Sequence, residues 1–490
     1  MTMSMKIREE VLPKYFLPVA LGGSLGLFLI FFLNQEGEWR ILGLAGLLVP
    51  LVMMFAKNPR RLYLAALLMF IPFSTNYTFN RTPYLASGAQ GFSIALSDIA
   101  LMALLVLWIV DILLQRDKIR FFPQMTIPIL CLIAVSALSL YRSTDTQLSI
   151  FELFRQVKLL IFFVVVANHI KSEDDIKLAL LFLLGGLFIE SIIAGLQMLK
   201  GGPLGLSIIG EYDELKEFAL GGTTTYRVGA TLRNSNTFSK YLTVLLPLAF
   251  SLFLSQKNTR HKIVLGGIAV LGVLALVMTL TRSAWIGLAV SVILLMVLFL
   301  KNKRLRTSTA SQMLVLGLVL LIIIATQLPM LVSRFTADDR GSAYSRIPMM
   351  QVAWHMIEEN PFLGVGINNY TTVMLAYDNT TEQIVSHFPM PVHNVFLLYA
   401  TEIGIIGLLV YLTIVFQACR QGFALSRDDH LFKASIAIGM TAGIVSLLIQ
   451  DMVDWSTKYD YALITLLWLY FACLCAMKHP SFRTEHGTHQ

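Results

Sequence analysis

The chain holds 490 residues, 56% hydrophobic and 14% charged, with a formal net charge of +8. Soluble domains carry about 25% charged residues, whereas here the apolar residues gather in blocks of roughly 15–25, each able to cross a hydrocarbon core of about 30 Å. That balance excludes an ordinary soluble enzyme, and the excess positive charge sits in short loops between blocks rather than on a surface suited to nucleic acid.

Taken in chain order, the sequence predicts an all-α polytopic membrane protein. The segment "MKIREEVLPKYFLPVALGG" is basic, then apolar, and lacks a clear A-x-A cleavage site, so it reads as a retained first span. Candidate spans follow near 15–33, 41–56, 62–75, 92–114, 122–141, 151–168, 178–199, 237–255, 263–280, 284–300, 313–331, 394–418, 434–450 and 461–477. The third is short, and the sixth opens with Glu152, Arg155 and Lys158, as an interfacial amphipathic stretch would. The loops 57–61, 115–120, 256–262 and 301–306 together hold thirteen Lys/Arg against one Asp. Under the positive-inside rule all four are cytoplasmic, as are both termini. The chain then divides into N-terminal spans (1–199), an external loop (200–236), central spans with an external turn at Arg282 (237–331), a large external loop (332–393), and C-terminal spans with a cytoplasmic tail (394–490). No internal repeat or low-complexity tract is visible.

Several kinds of chemistry find little support. The four cysteines, Cys131, Cys419, Cys473 and Cys475, lie in or beside apolar runs without metal-like spacing. No G-x-x-x-x-G-K-[ST] is present, and the "GVG" inside "NPFLGVGINNY" (360–370) reads as a loop turn. Glu211 with Asp213 comes nearest to a paired-carboxylate metal site, and a solvated loop explains it as well. No metal and no cofactor is expected.

The external face concentrates arginine and one histidine instead. Arg227 and Arg233 lie in "TYRVGATLRNSNTFSKYL", Arg282 in "TLTRSAWIGL", and Arg346 precedes "IPMMQVAWHMIEENPFLGVGINNY" in the large loop. Arginine is always charged and offers a planar fork that fits phosphate oxygens. Near the bilayer, Arg282 either reaches lipid phosphates or is paired. His393 stands at the start of "HNVFLLYATEIGIIG". On a continuous helix Leu397, Ala400, Gly404 and Gly407 would share its face, leaving a small stripe that another helix can approach, with Glu402 on the opposite side. A helix N-terminus disfavours imidazolium and attracts anions, so His393 is either interfacial packing or a neutral base. Glu190, in mid-span, is expected to face the interior with a partner or to be protonated. Asp98 and Asp111, nearer span ends, say less.

The pattern His393-Asn394, nine residues, Gly404-x-x-Gly407 resembles the signature of the O-antigen ligase and O-antigen polymerase superfamily. The stretches "RVGATLRNSNTFSKYL", "TRSAWIGL" and "NPFLGVGINNY" resemble other recurrent segments of that family, in the expected order. The resemblance covers residues 220–420 and, in the flanks, hydropathy alone. It implies a GT-C-like helical fold of about twelve to fourteen spans with two sizeable external loops. It also implies a metal-independent, inverting glycosyltransferase on the outer, periplasmic face of the bacterial inner membrane. The donor would be an undecaprenyl-diphosphate-linked glycan, the acceptor a glycan or lipid-linked acceptor, in the setting of membrane lipids. Carried over, His393 is the general base, and Arg282 with Arg227 or Arg233 holds the diphosphate, the choice between the last two being open. Asn394, Gly404, Gly407 and Arg346 support the motif. Polymerase and ligase differ only in acceptor, with a slight lean to polymerase and a chain-length regulator left open as a partner. The alternative is a polysaccharide or small-solute transporter or flippase, motivated by Glu190.

Overall fold

The computed structural model describes residues 58–73, 76–82, 88–213, 215–220, 223–305, 317, 332 and 344–484. The expected spans 15–33, 41–56 and 313–331 lie outside the described residues, the single position 317 apart. Among the described residues, nine helices are long and apolar enough to cross a membrane. The protein is an all-α polytopic membrane protein, with four short strands among the described residues, β1 (Asn76–Phe79), β2 (Phe92–Ala95), β3 (Lys216–Leu220) and β4 (Thr223–Arg227), in two two-stranded sheets.

The chain forms two compact units. In the first, α1 (Pro59–Met69) and α2 (Leu96–Leu113) pair, and Arg60 at the start of α1 bridges Asp111 near the end of α2, so the two run antiparallel. Asp111 is thereby paired, and Asp98 in the first turn of α2 accepts the Ala95 N–H at 2.8 Å. The span expected at 62–75 is corrected here. Pro59 at the first helical position and the Asn58 cap start α1 early, and the helix ends before Phe70 and Pro72. Eleven residues rise only about 16 Å, too short for a bilayer core. The expected start at 92 also moves, because Phe92–Ala95 is a strand.

The second unit holds α3 (Pro123–Leu138), α4 (Thr146–His169), α5 (Glu173–Lys200), α6 (Ser235–Ser255), α7 (Thr259–Met278), α8 (Arg282–Lys301), α9 (Arg346–Glu359), α10 (Val395–Leu425), α11 (Leu431–Asp451) and α12 (Tyr461–Lys478). Helices α6 and α12 form its centre, with 94% and 89% of their apolar windows buried. α11 packs closely on α6, because Gly439 sets its backbone against Leu248 and a Cβ there would lie 2.7 Å from the Leu248 Cα. The expected span 151–168 lies in the 24-residue α4, which is not among the nine helices long and apolar enough to cross a membrane. Its weakening charges turn inward, Glu152 being 1% exposed and ion-paired to Arg155 at 2.6 Å.

Within this unit the helix ends sort into two sets. At one end Asn302 Nδ2 donates to the Ser426 carbonyl at 2.9 Å, His430 meets Glu173 at 3.0 Å, and Glu173 N–H donates to the Arg483 carbonyl. The other end gathers the α3–α4 turn, where Asp145 N–H donates to Asn369 Oδ1 at 2.8 Å, and loop 200–234, the α7–α8 turn, loop 360–394 and the 452–460 turn, through the bonds described below. Loop 200–234 folds partly as a hairpin, β3 (Lys216–Leu220) against β4 (Thr223–Arg227), with Lys216 opposite Arg227.

Candidate functional site

The second set of helix ends brings the singled-out arginines and the histidine to one end of the unit. α7 and α8 are joined without a loop, through Leu280 in the left-handed region (φ +54°) and Thr281, the N-cap of α8. Arg282 is therefore the first residue of a helix of 20 residues. Arg227 reaches across from β4. Its Nε donates to the Thr279 carbonyl at 3.0 Å, and its Nη2 donates to Thr281 Oγ1 and Asn236 Oδ1, each at 3.0 Å. Arg227 thus grips the two residues that place Arg282. Arg233 sits elsewhere on the same loop, with left-handed backbone (φ +66°), and its charge acts on Asp460, the N-cap of α12.

Asn236 leads into a charged centre that the sequence reading did not single out. Its Nδ2 lies 3.4 Å from Asp454 Oδ2. Lys240, 1% exposed on α6, donates to Asp454 at 2.8 Å, Asp451 at 2.9 Å and Thr457 Oγ1 at 3.0 Å. Burial pushes the Asp454 carboxyl up, but Lys240 outweighs it and holds the group down at about 2. The cluster had a legible signal: a lysine six residues into a mostly apolar helix, and four charged residues in the ten that join two spans.

His393 lies within electrostatic reach of this centre. Asn394 caps α10, its Oδ1 accepting from Phe396 N–H at 2.9 Å and Leu397 N–H at 3.0 Å, so the histidine stands just outside the first turn. It is half-buried, and its Nδ1 is buried without a hydrogen bond. Burial lowers its pKa first of all; Asp454 pulls it back up, while Arg346 and Lys240 push it down. The net shift is downward, leaving a neutral imidazole near pH 7. Arg346 begins α9, so the large loop places its first helical residue within electrostatic reach of the histidine.

The small stripe expected below His393 is corrected. α10 is broken at Ile403 (φ −126°) and Gly404 (φ +72°), so a continuous helical wheel does not carry from His393 to Gly407. What approaches Gly404 is loop backbone, not a helix. Ile405 N–H donates to the Pro361 carbonyl at 2.8 Å, Val365 N–H to Thr401 at 2.9 Å, and Gly366 N–H to Glu402 at 3.1 Å. A Cβ on Gly404 would strike the Phe362 carbonyl, and one on Gly407 would strike the Ile403 side chain turned by the break. Both motif glycines are thus explained by the broken helix, which only glycine at positive φ permits so cheaply. The "GVG" of 364–366 serves this docking.

Glu402 has its own partners. It ion-pairs with Lys458, accepts from Tyr459 Oη at 2.7 Å, and accepts the Asn368 N–H at 2.9 Å. The large loop, the broken helix and the 452–460 turn all meet on this one carboxylate. Glu190 also has a defined partner: Thr231 donates to it through N–H at 3.0 Å and Oγ1 at 2.5 Å. Glu211 is not the solvated loop residue expected. It is 4% exposed and accepts from Leu204 N–H, Leu206 N–H and Gln197 Nε2 at 2.6–2.7 Å. Burial raises its pKa, and these bonds more than reverse the effect. Asp213 is exposed. No group of three or more His, Cys, Asp or Glu suited to a metal occurs among the described residues.

A search of curated proteins gave no match to the chain. Residues 267–412, which include Arg282, Arg346, His393, Asn394, Gly404 and Gly407, match the family model described as O-antigen ligase, and this supports the chain's place in the O-antigen ligase and polymerase superfamily.

Proposed function

We propose that this protein is a glycosyltransferase that transfers or polymerises undecaprenyl-diphosphate-linked glycan on the outer face of the bacterial inner membrane. The observation that carries the reading is the meeting of His393, Arg227, Arg282 and Arg346 at one end of the second unit, around the starts of α6, α8 and α10. In this reading the acceptor hydroxyl oxygen attacks the anomeric carbon, and the bond from that carbon to the diphosphate oxygen breaks. The electron pair leaves with the diphosphate, and the hydroxyl proton passes to the neutral imidazole of His393. A base of lowered pKa suits this step at neutral pH. Arg282 and Arg227 supply fixed positive charge where the leaving diphosphate develops negative charge, so the reaction needs no metal. Arg227 is favoured over Arg233 because it bonds to the residue preceding Arg282. Asp454, held anionic by Lys240, steadies the imidazolium that forms. The acceptor, another lipid-linked repeat or a terminal lipid acceptor, is left open.

Sidedness tests the reading. Reporter fusions near 118, 259 and 304 are expected to report the cytoplasm, and fusions near 215 and 365 the exterior. Within the second unit α6 and α8 support the opposition of 259 and 304 to the candidate site, since each carries one end toward 255 or 301 and the other toward that site. A cytoplasmic signal at 365 would overturn the proposal, because His393 would then face the wrong compartment. The transporter alternative, motivated by Glu190 and the many spans, is less favoured, since Glu190 accepts from Thr231 rather than pairing with another ionisable group.

A further inference from the structure

Between α3, α4, α10 and α12 lies a cavity of about 20 Å³, lined by Glu152, Arg155, Gln156, Tyr399, Tyr411 and Trp468 together with apolar side chains. A water needs on the order of 10–15 Å³ and two to four polar partners. The partners are there. Glu152 is 1% and Gln156 7% exposed, and three of the lining polar atoms are buried without a hydrogen bond: Glu152 Oε2, Arg155 Nε and Gln156 Oε1. The other Glu152 oxygen already accepts from Arg155 Nη2 at 2.6 Å. One donor and two acceptors around a space of this size match the bonding capacity of a water molecule.

The group is also tied to the candidate site. The Arg155 guanidinium lies 5.5 Å from the centre of the Tyr459 ring, and Tyr459 Oη donates to Glu402 at 2.7 Å. Lys458, on the same turn, pairs with Glu402 and lies 4.6 Å from the Tyr399 ring centre. Asp454, the anion within electrostatic reach of His393, belongs to this turn as well.

We propose that this cavity is an internal hydration site, and that the hydrated Glu152–Arg155 pair positions the Tyr459 end of the 452–460 turn and so the charges around His393. A water accepts from Arg155 Nε–H and donates to Glu152 Oε2 and Gln156 Oε1. The inference rests on the glycosyltransferase reading for its functional half, in which Arg155 is a positioning residue. The test uses the full chain in lipid nanodiscs. An experimental map fine enough to show waters is expected to hold an ordered water between the three atoms; a dry cavity overturns the hydration site. Arg155→Leu, matched to wild type for folded protein, is expected to lower kcat about tenfold to a hundredfold while KM stays within about twofold, as misplacement of a reacting group does. Arg155→Lys, which keeps a cation near the Tyr459 ring, should recover part of it. Unchanged kcat in folded Arg155→Leu overturns the positioning role, and Gln156→Leu, which keeps both charges, gives the same reading if Arg155→Leu does not fold. The map is read without activity, so a dry cavity counts against this inference alone, while absence of transfer by the wild-type protein counts against the reading beneath it.

Discussion

His393→Ala is expected to lower glycan transfer about 10²–10⁴-fold, the usual range for loss of a general base, while the protein still inserts and accumulates. The accumulation follows from position, since His393 precedes the helix and the capping bonds belong to Asn394. The pH dependence adds a sharper signature. A base works in its neutral form, so activity should fall on the acid side as the imidazole takes a proton. That limb lies below the ordinary imidazole value of 6.5, because burial, Arg346 and Lys240 lower the pKa more than Asp454 raises it. Asp454→Asn removes the raising charge and should move the limb to still lower pH. The measurement is initial rate against pH in membranes holding equal amounts of each protein. Near-normal transfer by His393→Ala would return the residue to interfacial packing.

Arg282 separates charge from geometry. It opens α8 beside the Thr279–Thr281 segment that Arg227 grips. If the two arginines clamp a diphosphate, Arg282→Ala should cost about 10²–10³-fold, as loss of a preorganised charge-stabilising donor does. Arg282→Lys keeps the charge but loses the planar fork, and should restore only part of the rate. An arginine that merely reaches lipid headgroups behaves differently, because lysine snorkels equally well. Full activity of the lysine variant at matched membrane levels would remove the bidentate clamp and shift attention to Arg227.

The helices were legible wherever an apolar run of span length stood between charged loops, as at α7, α8 and α12. The reading was weakest where charge turned inward. Glu152 and Arg155 made α4 look interfacial because hydropathy counts a charge the same way whether it faces water or a partner. Lys240 was passed over for the same reason: its cost is offset by Asp451 and Asp454, more than two hundred residues away. The break in α10 was hidden differently. "ATEIGIIG" keeps helical composition through residue 404, and only the returning loop at Pro361–Gly366 supplies the hydrogen bonds that make the break stable. His393 and the arginines were visible as residue types on one expected face. Which arginine touches the Arg282 turn depended on the path of loop 200–236, and no local pattern encodes that.

The central claim is that this end of the protein breaks a sugar–diphosphate bond rather than moving an intact lipid. The direct measurement reconstitutes the full chain in nanodiscs with purified undecaprenyl-diphosphate-linked repeat and a candidate acceptor, and follows free undecaprenyl diphosphate together with glycan length by mass spectrometry. The account predicts release of undecaprenyl diphosphate in step with glycan transfer, without added metal, and loss of both in His393→Ala. Equal release by His393→Ala, or donor that stays intact with wild-type protein under every acceptor offered, would contradict it.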